Sequence, residues 1–160
     1  GLNIRIARFH NIFGEEGTWY GGKEKYPAAI CRKVAEANDG DEIEIWGDGE
    51  QTRSFLHISE CIEGIMKLME SDCNVPVNIG SDEMVSVNEV ANLVMTYAGK
   101  ELKIRHDLTK PQGVRGRNSN NDFIFQQIGW KPSKSLVDGL VKTYDWIEQQ
   151  VKLKQQSERV

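Results

Sequence analysis

Short extended runs alternate with amphipathic helical runs along almost the whole sequence, and this alternation restricts the fold more than any other feature. Strands interleaved with helices argue for an α/β architecture, in which helices cover the faces of a sheet. Two runs, IRIARF (residues 4–9) and VPVNIG (75–80), are the apolar kind that lies inside a parallel sheet. Two strands do not complete such a sheet, so its remainder is expected to be missing or supplied elsewhere.

The helical runs carry their own punctuation. Pro27 suits a first helical turn, and Ile30, Cys31 and Val34 recur at helical spacing up to an Asn-Asp-Gly stop, so a helix is expected over 26–37. EIEIW reads as a strand, followed by the Gly47-Asp48-Gly49 turn and a second extended run to about residue 58. Ser59 is expected to cap a helix with Ile62, Ile65, Met66 and Met69 on one face. Ser86 and Glu89 form a capping-box pattern ahead of a helix to about residue 98, and LKIRH is a strand. Further helices are expected over 122–128 and 135–150, the latter with Leu136, Leu140, Tyr144 and Ile147 along one side, then a polar, frayed tail over 152–160.

Composition narrows the function classes. Lys and Arg number 20 against 24 Asp and Glu, so the chain lacks the basic footprint of a nucleic-acid binder. Three widely spaced cysteines, with no C-x-x-C pair, support neither a disulfide framework nor a zinc site. No apolar run approaches the roughly 20 residues of a membrane span, and no charged-then-apolar leader opens the chain; a soluble, reduced, cytoplasmic setting is expected. No repeat or linker divides the sequence, which reads as one domain or part of a larger one. His10, His57 and His106 are too scattered for a metal site and read as structural, while Trp46, Trp130 and Trp146 suit a core or a ligand wall.

No G-x-G-x-x-G turn follows a strand and no Tyr-x-x-x-Lys occurs, so a complete nucleotide-dependent oxidoreductase is not encoded here. Four polar clusters remain. Asn11 sits just past a strand, where open α/β sheets bind ligands and where turn-forming Asn is also common. Lys23, Lys25, Arg32 and Lys33 bracket a helix start behind two glycines, either as a solvated face or as phosphate-binding or proton-transfer groups. Gln51, Thr52 and Arg53 follow the glycine turn, as a hairpin edge or as ligand contacts. GVRGRN sets two arginines between glycines, as a plain surface loop or as a phosphate clamp.

Taken in order, RFHNIFGEEGTWYGGKEKYPAAICRK, WGDGEQTRSFLHISECIEGI, VNIGSDEMVSVNEV, GVRGRNSNN and IGWKPSKSLVDGL resemble the C-terminal half of the extended short-chain dehydrogenase/reductase family of sugar-nucleotide enzymes. WGDGEQTRSF and the late GWKP are similar to the family at large. GTWYGGKEKYPAAICRK and VRGRNS are similar to a subgroup that acts on GDP-mannose.

The resemblance implies late Rossmann strands joined to a smaller substrate-binding α/β domain, with residues 1–160 as the substrate-binding portion and the NAD-binding half upstream. It implies Lys25 as a catalytic residue, and Asn11, Glu24, Lys25, Tyr26, Lys33, Gln51, Thr52, Arg53 and Arg115 as substrate-binding residues. It implies NAD as cofactor, bound mainly by the upstream half, and GDP-mannose or a related sugar nucleotide as ligand. The implied reaction in the complete enzyme is oxidation at C4, epimerisation at C3 and C5, and re-reduction. The parent is expected to be a homodimer and the isolated chain inactive. Two alternatives stay open: another NAD-dependent nucleotide-sugar epimerase or 4,6-dehydratase, and a non-catalytic sugar-nucleotide-binding fragment.

Overall fold

A computed structural model describes residues 2–158. Along the chain lie β1 (Ala7–Phe9), β2 (Ile12–Phe13), α1 (Tyr26–Glu36), β3 (Glu42–Trp46), β4 (Thr52–Arg53), β5 (Leu56–His57) and α2 (Ile58–Glu70). They are followed by β6 (Val77–Ile79), β7 (Val85–Ser86), α3 (Val87–Ala98), β8 (Lys103–Asp107), β9 (Gly116–Arg117), α4 (Asp122–Ile128) and α5 (Leu136–Ser157).

The strands form small, mostly parallel sheets, as the alternation of elements requires. β1 pairs β6 in parallel, so the two apolar runs do lie side by side. Val77 and Ile79 are fully buried, whereas Ile4, Ile6 and Phe9 are exposed. β2 pairs β5, and β3 pairs β8, both in parallel. β4 lies between β7, antiparallel, and β9, parallel.

Of the two alternatives for Gln51, Thr52 and Arg53, the hairpin edge does not hold, because β3 and β4 do not pair. β3 takes its partner from β8, and the run after the glycine turn divides into β4 and β5, which belong to different sheets. β3 alternates by the period of two, with Ile43 and Ile45 buried and the Glu42 and Glu44 side chains bonded to Arg105 across the ladder.

Two hydrophobic cores result. The first is packed by α1, α3 and α5 against β3, with Ile30, Val34, Ile45, Val90 and Ile147 at its centre. The second joins α2, β6 and α4 around Leu68, Ile79, Ile124 and Trp130. α3 has the expected capping box, with the Ser86 hydroxyl accepting from the Glu89 amide at 3.1 Å and the Glu89 carboxylate accepting from the Ser86 amide.

Two helices depart from expectation. α2 is capped by His57, whose ring nitrogen accepts from the Ser59 amide, and not by Ser59. Of its expected apolar face only Ile65 packs against the second core, while Ile62, Met66 and Met69 are 53%, 53% and 66% exposed. Its rotation is set instead by Gly64, against which the Trp130 ring lies so closely that an added Cβ would be 2.8 Å away, and by buried Glu60. α5 runs on to Ser157 because Val151 extends its buried stripe by one more turn, so the frayed tail is helical as far as it is described. Arg159 and Val160 lie outside the described residues.

Candidate functional site

The first turn of α1 shapes one wall of a cavity of about 690 Å³, which β3, β4, the loop before α1 and the end of α5 complete. The chain enters through Gly21 and Gly22, whose φ values of +96° and +83° lie in the left-handed region. An added Cβ would meet nothing within 4 Å at either position, so backbone conformation and not crowding calls for glycine there. Lys25 follows as the N-cap of α1. Its carbonyl accepts from the Ala29 amide at 2.9 Å, and Lys25 is one of the residues that line the cavity.

Glu24 organises this entrance. One carboxylate oxygen accepts from the Gly22 amide at 2.7 Å and the other from Arg32 at 3.1 Å. Burial pushes the Glu24 carboxyl up, but hydrogen bonds from backbone amides and from Arg32 outweigh it and hold the group below the usual carboxylate range. Arg32 also reaches Glu36 at 2.8 Å, so its charge is neutralised within the wall.

Lys33, next to Arg32, donates to the Glu44 carbonyl at 2.6 Å, tying α1 to β3. Burial lowers its pKa, and the nearby Glu44 carboxylate offsets part of that effect. Tyr26 donates its hydroxyl to the Val87 carbonyl at 2.7 Å, and burial pushes that hydroxyl up, so it stays a neutral donor on the cavity floor.

Gln51 and Arg53 project to one side of the β4 run and both line the cavity. Gln51 is 6% exposed; its amide donates to the Trp46 carbonyl at 3.2 Å, and its Oε1 is buried without a partner. An unpaired buried acceptor is costly and awaits a donor. Arg53 bonds the Thr52 carbonyl at 2.6 Å and has no carboxylate partner among the described residues. Asn11, at φ +46°, donates to the Ser54 carbonyl at 2.9 Å and closes another edge.

Of the residues singled out in the sequence, Asn11, Glu24, Lys25, Tyr26, Lys33, Gln51 and Arg53 share this cavity. Thr52 and Arg115 do not line it. The strand period turns Thr52 to the other face, where its amide donates to the Arg115 carbonyl at 2.8 Å. The Arg115 side chain is 67% exposed and ion-paired to Asp48 at 2.7 Å. None of the three histidines lines the cavity; His57 is buried between Glu15 and Ser59.

Sequence reasoning did not select Tyr20, Phe55, Gln112 or Lys154, which also line the cavity. Phe55 lay within the quoted TRSF run, but Lys154 sits in a polar tail that gave no signal. Ile45, Trp46, Phe55 and Val87 supply an apolar wall, while Lys25 and Arg53 supply cations that have no carboxylate partner among the described residues. Such a cavity suits an anionic ligand with a ring or base to bury. Among the described residues no cluster of metal-ligating side chains forms, and no helix is long and apolar enough to cross a membrane.

Comparison with known proteins adds a relationship to this geometry. The sequence pattern described as the NAD dependent epimerase/dehydratase family matches residues 1–80. GDP-mannose 3,5-epimerase 1 of Oryza sativa subsp. indica is 53% identical over 151 residues, which cover 94% of this chain and 39% of that protein. The GDP-mannose 3,5-epimerase of Arabidopsis thaliana is 54% identical with the same shares covered. The chain thus spans 39% of the length of these curated relatives. Among solved structures, a UDP-glucose 4-epimerase from Thermotoga maritima superposes with a TM-score of 0.82 at 22% identity, over 91% of this chain and 46% of that one. A UDP-glucuronic acid 4-epimerase from Bacillus cereus, solved with UDP-glucuronic acid and NAD, gives 0.80 at 24% identity, over 93% and 46%. At such identities the likeness speaks for the fold alone.

Proposed function

Because the chain belongs to the NAD dependent epimerase/dehydratase family, we propose that it is the sugar-nucleotide-binding portion of a GDP-mannose 3,5-epimerase. The observation that carries this reading is the meeting of Lys25, Gln51 and Arg53 on one cavity, where, among the described residues, neither cation has a carboxylate partner and the Gln51 acceptor is unpaired.

Each group then has a role that its chemistry suits. The Arg53 guanidinium takes the diphosphate, whose oxygens match its planar fork. Gln51 Oε1 accepts an N–H or O–H of the ligand, which supplies its missing partner. Lys33 and Tyr26, fixed by their own hydrogen bonds, hold the wall against which the ligand rests. Lys25, at the start of α1, serves as one of the two acid–base groups that inversion requires: next to a C4 carbonyl, one group removes the proton from one face of the flanking carbon and the other returns a proton on the opposite face. Diphosphate binding lies away from those carbons and serves to orient the ring.

Two strand-to-helix junctions do not offer an NAD cradle. Strand passes directly into helix at β5–α2 and at β7–α3, and both junctions are capped by side chains, His57 and Ser86, where a pyrophosphate turn needs glycine amides. In this reading NAD is bound mainly by the portion of the relatives that this chain does not span.

Ligand-linked stability tests the reading. At a hundredfold excess over Kd, a ligand bound only by the folded chain adds about 2.7 kcal/mol, which for a domain of this size raises Tm by about 5–10 °C. GDP-mannose is expected to do so, and UDP-glucose and dTDP-glucose are not. An equal rise with all three, or none with GDP-mannose, contradicts the proposal.

A further inference from the structure

Part of the cavity lining is a contact between the loop before α1 and the last turns of α5. Lys154 Nζ lies 4.3 Å from the centre of the Tyr20 ring, and both side chains line the cavity. Lys154 reaches this place because α5 packs along α1 and continues past buried Val151 to Ser157.

The charges around the cavity differ in how far they are already satisfied. Arg32 is held by Glu24 and Glu36, Arg115 by Asp48, and the Lys33 ammonium by the Glu44 carbonyl. Among the described residues Lys154 has one carboxylate within reach, the exposed Glu158 at 3.8 Å, the outer limit of an ion pair. A ring attracts an ammonium through its quadrupole without neutralising it, so the Tyr20 contact fixes the position of Lys154 and leaves its charge available. A diphosphate spreads its charge over two phosphates, and a single arginine meets only part of it.

Resting on the sugar-nucleotide reading above, we propose that Lys154 is a ligand-binding residue of this cavity: the cation that, beside Arg53, meets the diphosphate, with the Tyr20 ring as its support. The helix that buries Tyr144 and Ile147 in the core thereby delivers a binding group from its last turns.

Calorimetric titration of GDP-mannose and GDP into wild type, Lys154→Met and Lys154→Arg, at low and at high ionic strength, tests the assignment. Met preserves the stem against Tyr20 and removes the charge. Lys154→Met is expected to weaken both ligands by about fivefold at low ionic strength, with a narrower gap at high ionic strength, and Lys154→Arg to stay within about twofold of wild type. Unchanged affinity in Lys154→Met, while wild type binds, overturns the Lys154 assignment alone. A loss insensitive to salt, or one that Arg does not restore, assigns Lys154 a packing role and overturns it too. Wild type that binds neither ligand overturns the sugar-nucleotide reading itself, and the inference with it.

Discussion

Glu24 and Arg32 meet at 3.1 Å across the start of α1, while the other Glu24 oxygen holds the Gly22 amide at 2.7 Å. One carboxylate thus joins the glycine turn to the helix, and Lys25, the next residue, is presented to the cavity from a fixed support. Glu24 acts through its neighbours here as a positioning residue.

Glu24→Gln is expected to lower stability by about 1.5–3 kcal/mol at neutral pH, the range for hydrogen bonds to a charged group. The Glu24 pKa is depressed in the folded state, so its contribution is present above the unfolded value of about 4.3 and is lost as the pH falls through the folded value. Urea unfolding of wild type and variant is therefore expected to differ at neutral pH and to converge in acid. A gap that is constant with pH contradicts the charge-dependent role.

Lys100 closes the C-terminal end of α1 from outside the helix. Its ammonium donates to the carbonyls of Val34 at 2.7 Å, Ala35 at 3.2 Å and Ala37 at 2.7 Å, groups that a helix end leaves unpaired. Lys100→Met is expected to cost about 1–2 kcal/mol in urea unfolding. A cost below a few tenths would mean that water satisfies these carbonyls equally well.

Glu60 is 1% exposed and accepts from the Ser133 amide at 2.8 Å, the Ser133 hydroxyl at 3.2 Å and the Lys134 amide at 3.1 Å. It fastens α2 to the turn that leads into α5. Glu60→Ala leaves these donors without their acceptor and is expected to cost about 2–3 kcal/mol. Retention of wild-type Tm would show the carboxylate to be dispensable.

Lys25 and Arg53 share the cavity but differ in proposed role, and the roles separate in measurement. Arg53→Met is expected to weaken GDP-mannose by about tenfold or more, and Lys25→Met by no more than about threefold. In the complete enzyme, Lys25→Met is expected to abolish exchange of the C3 and C5 protons with solvent deuterium. Equal losses of affinity in the two variants contradict this division.

The sequence carried much of this structure in local signals. Pro27 and the Ile30, Cys31, Val34 spacing located α1, and Ser86 with Glu89 located the start of α3, because caps and periodicity act within a turn or two. The rotation of α2 was not legible, since both of its sides carry apolar residues and only the Gly64–Trp130 approach and the Glu60 bonds select one. The partner of β3 was hidden for a related reason: β8 is distant in sequence and a glycine turn suggested a nearer one. At the cavity, the even-odd alternation around β4 separates Gln51 and Arg53 from Thr52, although the three residues are consecutive. Lys154 was invisible because its place depends on where a helix from the other end of the chain comes to rest.

Isothermal titration of the chain with GDP-mannose, set beside UDP-glucose and dTDP-glucose, tests the central claim most directly. Saturable binding of GDP-mannose, with at least about tenfold weaker binding of the other two, is the predicted result. A folded sample that binds none of them, or that prefers a uridine or thymidine nucleotide, would contradict it.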